Sequence, residues 1–233
     1  MEYPKINSLF KRNQTDHSLI MGDYSCPEFG LIKKWRIDEK IDGTNIRIVY
    51  DPLAENDAAK ISILGRSKDS AMPTNLFEFL KNHFTLQHLE TVFAEAKNKC
   101  ILYGEGYGGN IQSAGPYYRK TVGFMLFDIL IGSWWLTREA IAEKAQLLEV
   151  PVPADLGIMT EQEIIHFVTS KPLSKCTIKP YQIEGIIART EPLMLFRNSK
   201  PVMWKLKIKD FTEKVLAESK KCTVKSIVLF GEG

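Results

Sequence analysis

The segment "KWRIDEKIDGTNIRIVYD", residues 34 to 51, alternates hydrophobic side chains with charged or polar ones on both sides of Asp42-Gly43. Alternation with a period of two residues is typical of β-strands that bury one face. An Asp-Gly pair between two such runs predicts a hairpin or a turn. The pattern places Lys40 at the end of the first strand, with an acid on either side of it at Glu39 and Asp42.

Similar patterns continue along the chain. They predict six further strands, at 60–66, 100–106, 121–130, 184–190, 193–197 and 202–209. Helical periodicity predicts helices at 75–82, 86–98, 138–149 and 161–169, and Thr160 and Glu163 have capping-box spacing before the last one. Because strands and helices follow in an irregular order, we expect an α+β fold of mostly antiparallel sheets with flanking helices.

The bulk composition limits the class of protein. A chain of 233 residues, 44% of them hydrophobic, can bury a full core, and no repeat or long linker marks a boundary. We therefore expect a single domain over 1–233. Lys and Arg total 31 against 28 for Asp and Glu, and a net charge of +3 is too small to indicate a polyanionic partner by itself. Any nucleic-acid site must be a local patch.

The cysteines and the hydrophobic runs indicate the compartment. Cys26, Cys100, Cys176 and Cys222 are widely spaced and form no C-x-x-C pair, which favours free thiols in a reducing compartment. The sequence shows neither a signal peptide nor a run of the roughly 20 apolar residues that a membrane span needs. We expect a cytoplasmic protein with no membrane segment.

The segment "GEGYGG", residues 104 to 109, matches the G-x-G-x-x-G pattern of dinucleotide-binding folds and has Asp128 about 20 residues later. That fingerprint needs a helix directly after the glycines to receive the pyrophosphate. The following "NIQSAGPYYRK" contains Gly115-Pro116 and is too short for a crossover helix. We reject this interpretation, and the chain contains no G-x-x-x-x-G-K-[ST] phosphate-binding loop either.

Lys40 is the more informative residue. A lysine has an ordinary pKa of about 10.4 and becomes a nucleophile only where desolvation or nearby positive charge favours its neutral form. The run "WKLKIK" alternates Lys205, Lys207 and Lys209, which predicts three lysines on one face of a strand. Taken alone, these lysines also fit an exposed edge strand protected from aggregation.

The segment "EKIDGTN", residues 39 to 45, resembles motif I of the covalent nucleotidyltransferases, the superfamily of polynucleotide ligases and mRNA-capping guanylyltransferases. In that motif a lysine becomes linked to a nucleoside monophosphate. Five further matches follow in the family order: "GRS" (65–67) resembles motif Ia, "LYGEGYG" (102–108) motif III, "FMLFDI" (124–129) motif IIIa, "EGIIAR" (184–189) motif IV and "WKLKIKDFTE" (204–213) motif V. The resemblance implies a nucleotidyltransferase (adenylyltransferase) fold.

Within the superfamily, the Asn that closes "KIDGTN", the opening "YPKINSLFKR" and the form of motif V look most like RNA ligases of the phage and kinetoplastid RNA-editing type. The resemblance implies ATP-dependent joining of RNA ends, as in RNA repair. The enzyme would adenylylate itself, pass AMP to a 5′-phosphate, and let a 3′-OH displace the AMP. The implied partners are RNA ends that are nicked or otherwise held together, and we expect a monomer.

The resemblance also assigns roles to individual residues. Lys40 would attack the α-phosphorus of ATP, Lys205 and Lys207 would neutralise phosphate charge and keep Lys40 deprotonated by repulsion, and Glu184 would bind Mg²⁺ or Mn²⁺. The matching nucleotide contacts are Glu39, Asn45, Arg66, Glu105 (on a ribose hydroxyl, between Gly104 and Gly106) and Phe127 (stacked on adenine). Asp42 would orient a metal-bound water or form the turn, Lys209 would be solvated or contact RNA, and Asp128 and Arg189 are weaker matches.

Other functions share parts of this pattern. DNA ligases and capping guanylyltransferases use the same lysine chemistry, but both ordinarily need an oligonucleotide-binding barrel after motif V. An inactive nucleotide- or RNA-binding module is the non-enzymatic alternative, and the intact K-x-D-G and K-x-K patterns argue against it. After motif V we expect a helix to about Lys221 and a short apolar run, 223–233, with no separate C-terminal domain.

Overall fold

The computed structural model describes residues 1–67, 71–213 and 215. The helix expected up to Lys221 and the apolar run at 223–233 lie outside these residues. The strands of the described residues are β1 (Phe10–Arg12), β2 (Leu19–Tyr24), β3 (Trp35–Lys40), β4 (Thr44–Tyr50), β5 (Ile61–Leu64), β6 (Cys100–Gly108), β7 (Val122–Ile131), β8 (Trp134–Trp135), β9 (Asp155–Met159), β10 (Gly185–Arg189) and β11 (Met203–Lys207).

Helices connect and cover these strands. The α-helices of the same residues are α1 (Asp57–Lys60), α2 (Thr74–His83), α3 (Leu86–Val92), α4 (Gly115–Tyr118), α5 (Arg138–Leu147) and α6 (Glu161–Thr169), with 3₁₀ turns at Pro27–Leu31 and Ile208–Asp210. Every strand pair in the three sheets is antiparallel, which confirms the predicted α+β class. No helix in the described part of the chain combines the length and the apolar character needed to cross a membrane.

The chain divides into two compact units that each combine distant segments. Unit 1 contains Met1–Tyr3, Ile41–Ala154 and Lys175–Tyr181, and unit 2 contains Pro4–Lys40, Asp155–Ser174 and Gln182–Gly233. Along the chain, a boundary between unit 2 and unit 1 therefore falls directly after Lys40. The expectation of one domain over 1–233 stays a prediction.

Unit 2 is built on a four-stranded sheet in the order β11-β10-β3-β9, beside the two-stranded pair β1-β2. Its core contains Trp35 and Trp204, whose rings meet edge to face at 5.3 Å. Helix α6 adds Ile164 and Val168 to this core, and it begins with the predicted capping box, in which Thr160 and Glu163 bond each other's backbone N–H groups.

Unit 1 is built on a five-stranded sheet in the order β5-β4-β6-β7-β8. Alternate residues of β4, β6 and β7 bury one face of this sheet against α2, α3 and α5, with Leu76, Leu89 and Ile141 among the helical contributors. The opposite face carries two smaller clusters, one around Tyr103 and one around Tyr107. The polar residues of this second face are described below.

The strand pairing decides between two predicted alternatives and corrects one predicted strand. The chain bends at Gly43 but forms no hairpin there, because β3 pairs with β9 and β10 while β4 pairs with β5 and β6. The run 193–197 contains an isolated bridge at Leu195 in place of a strand, and the side chains of Met194 and Leu195 are exposed.

Helix α3 and strand β11 are among the predicted elements that are shorter than expected. Helix α3 ends at Val92, well before residue 98. Strand β11 ends at Lys207, where the Lys207 N–H donates to the Asp210 carboxylate at 3.2 Å and the chain enters a 3₁₀ turn. Lys209 therefore lies outside the strand, and the prediction of three lysines on one strand face holds only for Lys205 and Lys207.

The first residue of β10 tests how tightly unit 2 is packed. A Cβ added at Gly185 would lie well inside 3.0 Å of the backbone oxygen of Leu206, a group that cannot rotate away. We expect Gly185→Ala to lower the free energy of unfolding by about 1–3 kcal/mol, as overpacking does. Urea unfolding measures this loss.

The matched control is Gly30→Ala in the same unit, where the added Cβ would meet only the ring of Tyr24, which can turn. This variant should lose clearly less stability than Gly185→Ala. Equal stability of the two variants would show that β10 and β11 can separate at Gly185 without cost.

Candidate active site

The ends of three neighbouring strands of unit 2 bring opposite charges together. Gly185, which opens β10, lies opposite Lys40 of β3 on one side and opposite Lys207 of β11 on the other. The residue before it, Glu184, extends its carboxylate between the two lysines: Oε2 accepts from Nζ of Lys40 and Oε1 accepts from Nζ of Lys207. The side chains are 20%, 19% and 17% exposed for Lys40, Lys207 and Glu184, so the cluster is largely withdrawn from solvent.

The charges of this cluster determine its resting state. Burial opposes ionisation of Glu184, but the ammonium groups of Lys40 and Lys207 outweigh it and hold the pKa of the carboxyl below its ordinary value. The carboxylate thus opposes the repulsion between lysines that the sequence predicts. In this structure the Lys40 ammonium has an anionic partner, so Nζ must give up both a proton and this ion pair before it can act as a nucleophile.

Lys205 lies two residues before Lys207, so its side chain points to the same face of β11. Its backbone N–H donates to the carbonyl of Asn7 at 2.9 Å, and its carbonyl accepts from the N–H of Leu9 at 3.2 Å. The backbone of β11 is thus covered at this point, and both lysine side chains are half-buried. An exposed edge strand protected by lysines does not describe this arrangement.

Glu39 precedes the nucleophile candidate in β3 and is 1% exposed. Its Oε1 accepts a hydrogen bond from Oγ of Ser174. A buried carboxylate needs such donors to remain in the interior. Ser174 belongs to a segment without periodicity or motif, so the sequence carried no signal for this contact.

In unit 1, predicted nucleotide contacts share one face of the five-stranded sheet. Asn45 of β4 lies directly opposite Glu105 of β6, and Glu105 lies opposite Met125 of β7. Both polar side chains are half-buried. The Oδ1 atom of Asn45 is buried and has no hydrogen-bond partner, which is a costly state unless another molecule supplies a donor.

Glycines beside a ligand-contacting residue such as Glu105 would let a ligand approach the backbone closely, but Gly104 and Gly106 have a different role. A Cβ at Gly104 would overlap the ring of Phe124, and a Cβ at Gly106 would overlap Leu76. Both glycines therefore face the helix-covered core, and they permit tight packing there. The glycine that does allow a close turn is Gly43, where a Cβ would overlap the carbonyl oxygen of Gly106.

Phe127 lies at an irregularity of β7. Tyr103 pairs with Asp128 and Gly104 pairs with Leu126, so Phe127 is the extra residue of a β-bulge. The bulge lets Phe127 and Asp128 contact the same neighbour, Tyr3: the Tyr3 ring meets Phe127 edge to face at 5.0 Å, and its hydroxyl donates to the Asp128 carboxylate. The motif "YPKINSLFKR" contains Tyr3, but nothing in the sequence indicated this contact.

The remaining predicted residues, Asp42, Arg66 and Arg189, lie at separate places in the fold. The N–H of Asp42 donates to the hydroxyl oxygen of Tyr118 at 3.2 Å, a contact that the sequence did not indicate. Arg66 is exposed at a bend after β5. Arg189 is buried and forms an ion pair with Asp38 at 3.3 Å, which gives it a structural role inside unit 2.

The structure therefore distributes the predicted residues over both units. It places Glu39, Lys40, Glu184, Lys205 and Lys207 in unit 2, and it places Asp42, Asn45, Arg66, Glu105 and Phe127 in unit 1.

A divalent cation would find only part of its ligands here. Within the residues that the structure describes, no group of three or more His, Cys, Asp and Glu side chains could hold a metal ion. Glu184 offers hard oxygen ligands, but each of its oxygens already accepts from an ammonium group. Because Mg²⁺ is usually held by one or two carboxylates with phosphate oxygens and water, Glu184 suits a cation that arrives with a phosphate-bearing substrate. Asp42 as a second ligand stays a prediction.

A family model described as RNA ligase matches residues 33–207 of the chain. This range includes all ten predicted site residues. No curated protein matches the chain.

Solved structures of Naegleria gruberi RNA ligase resemble the chain. A mutant without ligand has 18% sequence identity and a TM-score of 0.54, and the match covers 75% of this chain and 49% of that one. The ligase with PPi has 16% identity and a TM-score of 0.57, covering 95% of this chain and 58% of that one. A mutant with AMP and Mn has 16% identity and a TM-score of 0.55, covering 88% and 61%. These similarities confirm the nucleotidyltransferase fold, and the chain spans only about half to three fifths of the length of these structures.

The lowered pKa of Glu184 predicts how stability depends on pH. Because this carboxyl stays ionised to lower pH in the folded chain than in the unfolded one, it stabilises the fold above its unfolded pKa of about 4.3 and loses that contribution as pH falls through its folded pKa. We expect the difference in melting temperature between the natural chain and Glu184→Gln to be largest near pH 6 and to shrink below about pH 4.3. Thermal unfolding from pH 6 to pH 3 measures it.

Glu143→Gln, at an exposed position of α5, is the control and should show no such convergence. A difference between Glu184→Gln and the natural chain that stays constant over this range would contradict the lowered pKa.

Proposed function

The chain belongs to the RNA ligase family, and we propose that it is an ATP-dependent RNA ligase that joins RNA 3′-OH and 5′-phosphate ends through a lysyl-AMP intermediate. The observation that carries the proposal is the cluster of Lys40, Glu184 and Lys207 at the ends of three adjacent strands. Sequence motifs I, IV and V, which lie far apart in the chain, supply one residue each.

The proposed reaction has three displacements at phosphorus. Nζ of Lys40, after losing a proton, forms a bond to the α-phosphorus of ATP while the bond to pyrophosphate breaks. An oxygen of the RNA 5′-phosphate then takes the adenylyl group, and the P–N bond to Lys40 breaks. Finally the RNA 3′-oxygen, losing its proton, attacks the 5′-phosphorus and expels AMP.

The charges of the cluster suit the first displacement. An incoming triphosphate offers Lys207 and Lys205 an anionic partner that competes with Glu184. Pre-positioned cations lower the cost of the charge that develops on phosphate oxygens. Glu184 would hold Mg²⁺ or Mn²⁺ together with phosphate oxygens, and the bound cation would supply further positive charge to them.

The residues outside this cluster are proposed to contact the nucleotide. Glu105 would accept from a ribose hydroxyl, and Phe127 would stack on the base. Asn45 faces the same side of the sheet and has a buried oxygen without a donor, which supports a contact to a ligand. Glu39, Arg66 and Asp42 keep the roles that the resemblance gives them.

The similar structures support the choice of substrates. Several of them contain ATP and Mn or AMP and Mn, and one contains PPi. ATP, AMP and pyrophosphate are the substrate and products of the proposed reaction. A DNA ligase or a capping guanylyltransferase would share the lysine chemistry. A capping enzyme would prefer GTP to ATP, and a DNA ligase would join DNA ends in place of RNA ends.

The proposed setting of the reaction is the cytoplasm, with nicked or otherwise aligned RNA ends as substrates and a monomeric enzyme. The three described cysteines, Cys26, Cys100 and Cys176, form no disulfide, which supports a reducing compartment. The monomeric state stays a prediction.

Covalent self-labelling tests the nucleophile. With ATP labelled at the α-phosphate and Mg²⁺ or Mn²⁺, the protein should acquire an acid-labile label, because the proposed bond to Lys40 is a phosphoramidate. Lys40→Ala should abolish the label, whereas Lys209→Ala, at an exposed lysine outside β11, should retain it. Gel autoradiography after denaturation measures both.

Two results would contradict this assignment. A label that persists in Lys40→Ala places the bond on another residue, and an acid-stable label indicates an ester of a hydroxyl group. Stronger labelling by GTP than by ATP would favour a capping enzyme.

Glu184→Gln tests whether this carboxylate acts in the chemistry. The substitution keeps the volume of the side chain but removes the charge that would bind a cation, so self-labelling should fall by about 100-fold or more, as when an electrostatic catalytic group is removed. The circular dichroism spectrum should remain that of the folded chain at pH 7. An unfolded spectrum would assign Glu184 a mainly structural role.

A further inference from the structure

A surface of unit 1 combines an exposed tyrosine and a half-buried one with exposed lysines. It consists of the outer side of α4 with the two residues after it and of the segment Lys175–Tyr181, and we call it the tyrosine-lysine patch (Tyr117, Lys120, Lys175, Lys179 and Tyr181). The N–H of Ile178 donates to the carbonyl of Tyr117 at 2.8 Å. The rings of Tyr117 and Tyr181 stack at 4.1 Å between centroids, inclined by 28°.

The patch rests on a packed support. Cys176 and Tyr181 contact the buried cluster of Ile41, Tyr107, Ala114, Tyr118 and Met125. Tyr118, on the inner side of α4, accepts the hydrogen bond from the N–H of Asp42 at 3.2 Å. The exposed side chains are therefore held by a folded element, and that element also contacts the turn that begins two residues after Lys40.

The charge of the patch is of one sign. The sequences 106–127 and 175–181 contain Arg119, Lys120, Lys175 and Lys179 and not one Asp or Glu. Arg119 is half-buried and is used internally, with a hydrogen bond to Thr121 at 3.2 Å and its guanidinium 5.9 Å from the ring centre of Tyr107. Lys120, Lys175 and Lys179 are exposed. In a chain with a net charge of only +3, this is a concentrated positive surface.

The aromatic component narrows the class of ligand. Tyr117 is 37% exposed, and Tyr181 supports its ring from one side. Single-stranded nucleic acids bind surfaces of this kind because bases stack on aromatic rings while lysines contact the phosphates. A small phosphate compound would use the lysines but would leave the tyrosine platform unexplained.

From these observations we propose that the tyrosine-lysine patch binds a single-stranded segment of the RNA substrate, with a base on Tyr117 and backbone phosphates on Lys120, Lys175 and Lys179. The choice of RNA rests on the function proposed above. The patch is a binding surface and takes no part in bond formation.

Fluorescence anisotropy with a labelled, 5′-phosphorylated single-stranded RNA tests this inference over a series of salt concentrations. Tyr117→Ala should weaken binding by roughly five- to 150-fold and leave the salt dependence unchanged, because stacking involves no released counterion. Lys179→Ala should reduce the slope of log affinity against log salt by about 0.7, the share of one phosphate contact in a single strand.

Matched controls separate the patch from general effects of charge and aromatic content. Tyr117→Phe keeps the ring and should bind almost as the natural chain does. Trp134→Ala removes another exposed aromatic residue of unit 1, and Lys81→Ala removes an exposed lysine on α2, so both should leave affinity and slope unchanged. Melting curves of all variants identify any that unfold, and Lys179→Ala, at an exposed position, tests the patch even if Tyr117→Ala does not fold.

Self-labelling with ATP, measured on the same preparations, keeps the two proposals apart. Folded Tyr117→Ala and Lys179→Ala variants with the affinity and slope of the natural chain would overturn the patch and would leave this surface for another class of partner, such as an acidic protein. A natural chain that labels itself but does not bind the RNA at low salt would overturn the patch as well. Absence of self-labelling, with RNA binding that depends on Tyr117 and Lys179, would contradict the ligase mechanism and support the patch.

Discussion

The arrangement of unit 2 depends on one carboxylate shared by two ammonium groups. Glu184 enters between β3 and β11, and the register of the sheet sets Lys40 and Lys207 at equal height on its two sides. Without this anion, two lysines at neighbouring strand ends would repel each other in a half-buried site. The same pairing orients the nucleophile candidate, and a phosphate ligand would compete with Glu184 for the ammonium groups.

The sequence predicted much of this fold because its signals were local. Alternating patterns located β3, β4, β6, β7 and β10, and capping residues located α6. It failed where the decision depends on distant chain segments: β3 and β4 join different sheets although they flank a strong turn signal, and the apolar run at 193–197 forms only an isolated bridge. Local patterns specify a strand but do not specify its neighbours.

The same limit applies to the candidate site. The motifs assign Lys40, Glu184 and Lys207 to one site, and the structure brings these three side chains together, while the roles of all the site residues stay predictions. The contacts that support these residues could not be predicted. Ser174 is hydrogen-bonded to Glu39, Tyr3 contacts Phe127 and Asp128, and Tyr118 is hydrogen-bonded to Asp42. Ser174 and Tyr118 belong to segments whose sequences have no special pattern, and Tyr3 belongs to an opening motif that gave no sign of this contact. The glycines beside Glu105 show the reverse case, since their motif position suggested ligand contact and their packing explains them.

The interleaving of the two units affects how the chain can acquire its active cluster during synthesis. Strand β3, which contains Lys40, is synthesised before its partners β9 and β10, which follow more than 100 residues later. Lys207, the second lysine of the cluster, follows later still. The sheet around Lys40 cannot close until the ribosome has passed Lys207, and such non-local pairing is intrinsically slow. An apolar strand that waits for its partners is exposed to aggregation, so nascent chains of this protein are expected to be clients of chaperones. The delay also means that an unfinished chain has no assembled cluster of Lys40, Glu184 and Lys207.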